Sequence, residues 1–205
     1  MLEKLDFAKM GGLIPVVVQD NNTLQVLMVG FMNEESLKQT VDSGKVTFYS
    51  RSKGRLWQKG ETSGNFLHVI DMHVDCDNDS LLIMANPVGP TCHTGSISCF
   101  STQDLPPLGI IGKLDKTISD RINYPQDNSY TNHLIKKGLN KIAQKVGEEA
   151  VEVVIAALNE TNEQFIGEMV DLLYHMLILL QVKELTLADL SKIIAQRQQK
   201  PSKQE

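Results

Sequence analysis

Three aspartates alternate along the run VDCDNDS, at Asp75, Asp77 and Asp79, with Cys76 threaded between the first two. The chain's other cysteines, Cys92 and Cys99, bound the run CHTGSISC a little further on. All the thiols therefore fall in one short region beside closely spaced carboxylates. On an extended strand Asp75 and Asp77 point to one side and Cys76 to the other. One ion would struggle to take all three, so two sites of different chemistry are expected. Asp75, Asp77 and Asp79 form a hard oxygen set suited to magnesium. Cys76, Cys92 and Cys99 form a thiolate set suited to zinc, and three thiolates leave a fourth tetrahedral position for water. Zinc lowers the pKa of such a water towards about 7. Because Cys76 faces away from its aspartate neighbours, its partners could belong to another chain, which would put the zinc at or near a dimer interface. The blander readings are a polar turn and buried apolar cysteines. An EF-hand is excluded, since no Gly follows at the required place and no Glu closes the loop.

A second run, WQKGETSGN from Trp57 to Asn65, supplies the donors Lys59, Thr62, Ser63 and Asn65. Gly60 and Gly64 allow backbone N–H groups to approach a phosphate closely. Taken alone, the composition suits an ordinary loop as well as a phosphate cradle. His93, next to Cys92, is a candidate general acid or base, and His73, just ahead of the aspartates, is another. His68, His133 and His175 read as structural.

The second half carries its own acidic residues, in KVGEEAVE (Lys145 to Glu152) and EMVD (Glu168 to Asp171). Glu149 and Glu152 are three apart, as are Glu168 and Asp171, so each pair shares a helix face. If the two helices form an antiparallel hairpin turning near Glu160, Glu152 lies level with about Met169 and Glu149 with about Leu172. The acidic pairs then arrive at the same height. Carboxylates crowded in a poorly solvated groove raise one another's pKa, and a hard divalent cation relieves that. Magnesium commonly joins carboxylates to substrate phosphates. A solvated acidic face is the usual fate of Glu on a helix, but Val151, Val153 and Val154 surround one pair and Met169, Val170 and Leu172 the other. Lys136, Lys137, Lys141 and Lys145 are candidate phosphate contacts.

These residues need elements to hold them. Leu13–Gln19 and Leu24–Gly30 are β-branched apolar runs around the turn cluster Asp20-Asn21-Asn22, and they read as a hairpin. Asn33 is an N-cap for a short helix that Gly44 ends. Val46–Ser50 is a further strand, and Asn65–Cys76 and Leu81–Val88 bracket the aspartate turn. The first half is therefore expected to be α+β with a mainly antiparallel sheet. STQDLPPLG, residues 101–109, reads as a linker. Beyond it Ile110, Leu114, Ile118 and Ile122 recur at helical spacing. One long helix is expected over Tyr130–Leu158. Another, over Asn162–Lys183, opens on the capping box Thr161/Gln164, and a last one starts at Thr186. The tail from Gln196 is expected to fray. The second half is an all-α bundle, and the boundary falls at 105/106.

Bulk properties narrow the classes. The chain has 205 residues, a net charge of -5 and a hydrophobic fraction of 41%. No basic footprint for nucleic acid is present. The N-terminus lacks an apolar signal region, and the apolar run Leu172–Leu180 is too short and too polar for a membrane span. Three cysteines without a signal read as reduced thiols or metal ligands in the cytoplasm.

The pattern Lys145-x-x-Glu148-Glu149-x-x-Glu152 followed by Glu168-x-x-Asp171 resembles the MazG-like nucleotide pyrophosphohydrolases. SYTNHLIKKGLNKIAQKVGEEAVEVVIAA is similar, more narrowly, to phosphoribosyl-ATP pyrophosphohydrolase. That resemblance implies magnesium held by Glu149, Glu152, Glu168 and Asp171, with Glu148 as a ligand or base and Lys145 at the phosphates. GKVTFYSRSKGRLWQKGETSGN, VDCDNDSLLI and GPTCHTGSISCF resemble phosphoribosyl-AMP cyclohydrolase over nearly all of residues 11–100. This implies a zinc- and magnesium-dependent homodimer that opens the adenine ring at N1–C6. It also implies substrate contacts from the motif residues Arg51, Trp57, Lys59, Thr62, Ser63, Gly64 and Asn65. The two halves would then catalyse consecutive steps of histidine biosynthesis, in the reverse of their chain order. A general nucleotide-cleaning hydrolase, or a metal-storing module on a helical dimerisation domain, is the alternative.

Overall fold

The computed structural model describes residues 2–100 and 105–198. The chain divides into two compact units, residues 1–113 and 114–205.

In the first unit, β1 (Ile14–Asp20), β2 (Val26–Met32), α1 (Glu34–Ser43), β3 (Thr47–Ser50), β4 (Arg55–Gln58), β5 (Leu67–Val74) and β6 (Leu81–Pro87) follow in order. Four strands form one sheet in the order β2-β1-β6-β5. β1–β2 and β5–β6 run antiparallel, while β1 and β6 pair in parallel at the centre. The α+β class with a mainly antiparallel sheet is therefore found. Alternate residues of β1, namely Ile14, Val16 and Val18, are fully buried, and Leu81 and Ile83 of β6 lie beside them in the core. This is the period-2 signal of a sheet covered on one face. α1 is fixed as expected. The Asn33 side chain accepts from the Ser36 N–H, and Gly44 closes the helix at φ 65°.

β3 and β4 make a separate two-stranded ribbon, and β4 lies in what reads as loop in the sequence. Its short run RLWQ carries no clear alternation. It is held by pairing with β3 and by Trp57 stacking on Phe48, ring centroids 5.8 Å apart. Phe48 is 2% exposed, so truncating it to Ala would cost about 3–5 kcal/mol.

The helical region holds α2 (Pro107–Asn123), α3 (Tyr130–Lys136), α4 (Leu139–Asn159), α5 (Asn162–Val182) and α6 (Leu187–Gln198). α2 starts inside the expected linker, because proline fits a first helical turn whose N–H groups have no helical partner anyway. Residues 101–104 of that linker lie outside the described residues, as do residues 199–205 of the tail. The single helix expected over Tyr130–Leu158 is two helices. Gly138 adopts φ 86° between them, a conformation that side-chain-bearing residues resist. The capping box at Thr161 is present. Ile118, Leu134, Ile142, Leu177 and Ile178 form the helical core.

The apolar run Leu172–Leu180 is part of a 21-residue helix, long and apolar enough by composition to cross a membrane. The shorter run misjudged its length. α5 packs along α4, and Glu168, Asp171 and His175 lie along its length. It is a bundle helix with an acidic stripe.

Candidate active sites

In the first unit, two loops converge on a cavity of about 400 Å³. One follows β4. The Lys59 N–H donates to the Val46 carbonyl at 2.9 Å, and the Gly64 N–H donates to the Gly60 carbonyl at 2.8 Å. Gly60 sits at φ +95°, and a Cβ there would lie 2.6 Å from the Asn65 carbonyl, so only glycine permits the fold-back. The other loop follows β6 and is tied to β2. The Cys99 N–H donates to the Leu27 carbonyl at 2.8 Å, and the Ser98 hydroxyl donates to the Val26 carbonyl at 2.7 Å. Within it the Cys92 N–H donates to the Ser96 carbonyl at 2.9 Å.

These anchors bring Trp57, Lys59, Thr62, Ser63 and Asn65 to the same cavity as Cys92, His93 and Cys99. Gly64 shapes the loop at φ +75° without lining the cavity. Arg51 stacks over the Phe31 ring at 3.7 Å, and His73 pairs with Asp71 at 3.3 Å; neither lines the cavity. Glu61 and Thr91 do line it and were not singled out from sequence. Glu61 lay in the same motif, and its tie to Arg55 at 2.5 Å needs the ribbon to be known.

The electrostatics of the cavity are those of a thiol pair beside an ammonium. Burial draws the Lys59 pKa below the usual lysine range, while Cys99 and Cys92 oppose that shift. The Thr94 hydroxyl and backbone N–H hold Cys92 below the ordinary thiol range. Burial and the neighbouring Cys92 push Cys99 up. Two adjacent sulfurs, one held below the ordinary thiol range, suit a thiophilic divalent ion. Cys76 stands apart from them. It is exposed, with Sγ 3.9 Å from Asp77 Oδ1, and among the described residues the three sulfurs do not converge.

The aspartates do not lie on an extended strand. β5 ends at Val74, and residues 75–80 are a turn, so simple two-sided alternation does not govern them. Asn78 takes φ 62°, a conformation Asn tolerates better than most residues. Asp75 Oδ1 accepts from the Asp79 and Ser80 N–H groups at 3.0 and 3.1 Å. That closure brings one oxygen from each of Asp75, Asp77 and Asp79 within 4.8 Å of the others, the clustering a hard cation needs. The Lys9 ammonium reaches both Asp77 and Asp79 and holds the Asp77 carboxyl below its usual range.

In the helical unit, oxygens of Glu149, Glu152 and Glu168 lie within 4.8 Å of one another. α4 and α5 are joined through Glu160 and Thr161, which sets the antiparallel register that puts Glu152 opposite Glu168. Glu149 is 4% exposed. Burial opposes its ionisation, but the Lys145 ammonium at 2.6 Å and Glu152 outweigh burial and hold its pKa low. Glu152 is pushed up, chiefly by Glu149, then by burial and by Glu168. That strain between like charges is what a divalent ion would relieve. Asp171 does not join the cluster; its side chain is exposed, and its carbonyl lies 2.8 Å from His175 Nδ1. Glu148 turns to Lys145 at 3.0 Å and Gln144 at 2.7 Å.

The comparisons agree with this division of chemistry. The family model of phosphoribosyl-AMP cyclohydrolase matches residues 28–101, and that of phosphoribosyl-ATP pyrophosphohydrolase matches residues 111–198. Enzymes of both kinds depend on metal ions. The histidine biosynthesis bifunctional protein HisIE of Bacteroides thetaiotaomicron is 53% identical over 95% of this chain and 96% of its own. Its counterpart from Campylobacter jejuni is 50% identical over 95% of each, and that from Staphylococcus epidermidis 47% over 98% of this chain and 93% of its own. The helical half hydrolyses phosphoribosyl-ATP to phosphoribosyl-AMP and pyrophosphate, and the first half acts on phosphoribosyl-AMP as cyclohydrolase. By these full-length matches, the chain belongs to the HisIE family of bifunctional histidine-biosynthesis enzymes.

Proposed function

We propose that the cavity of the first unit is the ring-opening site and that Cys92, Cys99 and a Cys76 hold zinc there. The carrying observation is the meeting of Cys92, Cys99 and His93 with the donor loop Lys59–Asn65 around one cavity. Sulfur donors fit zinc, and the aspartate turn, with oxygen donors only, fits magnesium. When bound, zinc supplies an acidified water for addition to C6 of the purine. His93 delivers a proton to N1 as the N1–C6 bond breaks, and His73 serves the outer proton path. Trp57 stacks on the base. Lys59, Thr62, Ser63, Gly64 and Asn65 hold the phosphate, with Arg51 at its approach. Asp75, Asp77 and Asp79 hold magnesium, which anchors the ligand's phosphates.

Since Cys76 lies away from Cys92 and Cys99 of its own chain, the reading makes the enzyme a homodimer with zinc at or near the interface. Exposed Val151, Val154, Ile155 and Leu158 on α4, with Ile166, Met169 and Val170 on α5, support association with a second copy. In the helical site Glu149, Glu152 and Glu168 hold magnesium, and Asp171, which stands outside their cluster, turns in to join them when the ion binds. Glu148 orients the attacking water, and Lys145 turns from its carboxylates to the phosphates. The domains are 1–105 and 106–205, and the enzyme works in the cytoplasm, where thiols stay reduced.

Metal content per chain, measured with the reaction followed from phosphoribosyl-ATP, tests the assignment. Cys92→Ala is expected to lose zinc and ring opening while pyrophosphate release persists. Glu149→Gln is expected to lose pyrophosphate release by more than about a hundredfold, while ring opening of added phosphoribosyl-AMP persists. Ring opening that survived Cys92→Ala would overturn the zinc site.

A further inference from the structure

Lys9 precedes both matched segments, yet it reaches into the aspartate turn. Its ammonium lies 2.5 Å from Asp77 Oδ2, 2.6 Å from Asp79 Oδ2 and 3.4 Å from the Asp77 carbonyl oxygen. The approach is built. The Asp6 N–H donates to the Asn78 carbonyl at 2.7 Å, so the N-terminal segment is pinned to the same turn. The Lys9 N–H donates to Asp6 Oδ1 at 3.0 Å, and Phe7 is buried in the sheet core. The backbone of the segment is thus held by contacts that do not involve the ammonium. The ammonium itself is free to leave, because it ends a long flexible stem and the Lys9 and Asp77 side chains are 41% and 60% exposed.

We propose that Lys9 is a tethered counter-ion of the aspartate turn, occupying Asp77 and Asp79 until a divalent ion displaces it, and so setting the ion's apparent affinity. The inference rests on the reading of Asp75, Asp77 and Asp79 as a magnesium site. One ammonium neutralises two carboxylates that would otherwise repel each other. A divalent ion bound to the same oxygens must break both contacts. Exposed ion pairs are individually weak, so the competition is modest and reversible.

The test uses zinc-loaded full-length protein carrying Glu149→Gln and Glu168→Gln, which silences the helical site, with Mn²⁺ as an EPR-visible probe. Adding Lys9→Met is expected to tighten Mn²⁺ binding roughly two- to thirtyfold, the range two exposed pairs allow. Lys9→Arg, which keeps the charge, is expected to bind as the parent does. Unchanged or weaker binding in Lys9→Met overturns the proposal, since Lys9 would then be a spectator or an organiser of the carboxylates. Asp77→Asn with Asp79→Asn serves as the separate arm. If that pair leaves Mn²⁺ binding unaltered, the magnesium reading itself fails, whatever Lys9→Met does.

Discussion

Glu149 and His175 meet inside the helical unit, with 3.8 Å between Glu149 Oε1 and His175 Nδ1. Both side chains are almost wholly buried, and both imidazole nitrogens have other partners. Nδ1 is 2.8 Å from the Asp171 carbonyl, and Nε2 is 3.2 Å from the Tyr130 hydroxyl. The ring is wedged edge-on against Tyr174, centroids 5.3 Å apart. His175 therefore forms a fixed wall behind the buried carboxylate and links it to α3.

His175→Phe keeps the ring and loses both polar contacts. The helical unit is expected to lose about 1–2 kcal/mol of stability, seen as a lower melting temperature by circular dichroism. Mn²⁺ affinity of the helical site and pyrophosphate release are expected to fall about tenfold, with ring opening unchanged. A stability loss with unaltered Mn²⁺ affinity would reduce His175 to a packing residue.

Much of this was legible in the chain. The β-branched apolar run Leu13–Gln19 announces a strand, and Thr161 with Gln164 announces the start of α5. The acidic spacing on α4 and α5, with the short turn between them, brings Glu149, Glu152 and Glu168 together as expected, but leaves Asp171 outside the cluster. What stayed hidden depends on tertiary contact. β4 exists because β3 pairs with it and Phe48 receives Trp57. The break at Gly138 falls inside a helical periodicity that continues on both sides. The aspartates form a turn rather than a strand end because Asp75 caps the N–H groups of Asp79 and Ser80, a contact that alternation alone does not foresee. Lys9 lies far from its partners in sequence, and no spacing rule connects it to Asp77. His175 reads as structural in a linear chain, because only the fold brings it against Glu149.

If Cys76 of one copy serves the cavity of another, loss of function should be complementable. Cys76→Ala and Cys92→Ala are each expected to abolish ring opening alone. When the two proteins are unfolded together and refolded, a mixed dimer regains one site with every thiol intact. About a quarter of the wild-type sites return for random pairing in a two-fold dimer. Zinc content and ring opening are expected to recover together. No recovery in mixtures that contain mixed dimers would place all the zinc ligands within one chain.

Trp57 is the chain's single tryptophan and lines the first cavity. Its emission therefore reports on that site without interference from the helical unit. Phosphoribosyl-AMP added to zinc-free protein, which cannot turn it over, is expected to quench Trp57 as the base stacks on the indole. Glu149→Gln should leave the titration unaltered. Lys59→Met should weaken it about tenfold, the effect of losing one charged phosphate contact of roughly 1.5 kcal/mol. Quenching that followed pyrophosphate instead of phosphoribosyl-AMP would separate Trp57 from base recognition.

Thr161 sets the register of the acidic helices. Its hydroxyl accepts from the Gln164 N–H at 3.3 Å, while Gln164 Oε1 accepts from the Thr161 N–H at 3.2 Å. The two contacts satisfy donors that the first turn of α5 leaves open, immediately after the turn from α4. Thr161→Ala removes the hydroxyl half of the box and is expected to cost about 1 kcal/mol of helical-unit stability. Thr161→Ser keeps the oxygen and should cost little. Because Glu152 and Glu168 are brought level by this turn, fraying at Thr161 loosens the metal cluster before the core at Ile142 and Ile178 yields. Thr161→Ala is therefore expected to raise the Mn²⁺ concentration needed for half-maximal pyrophosphate release several-fold near the melting transition, and to leave it unchanged well below. An equal loss of metal affinity at all temperatures would mean that the cap acts on the geometry of the folded site rather than on the population of its frayed state.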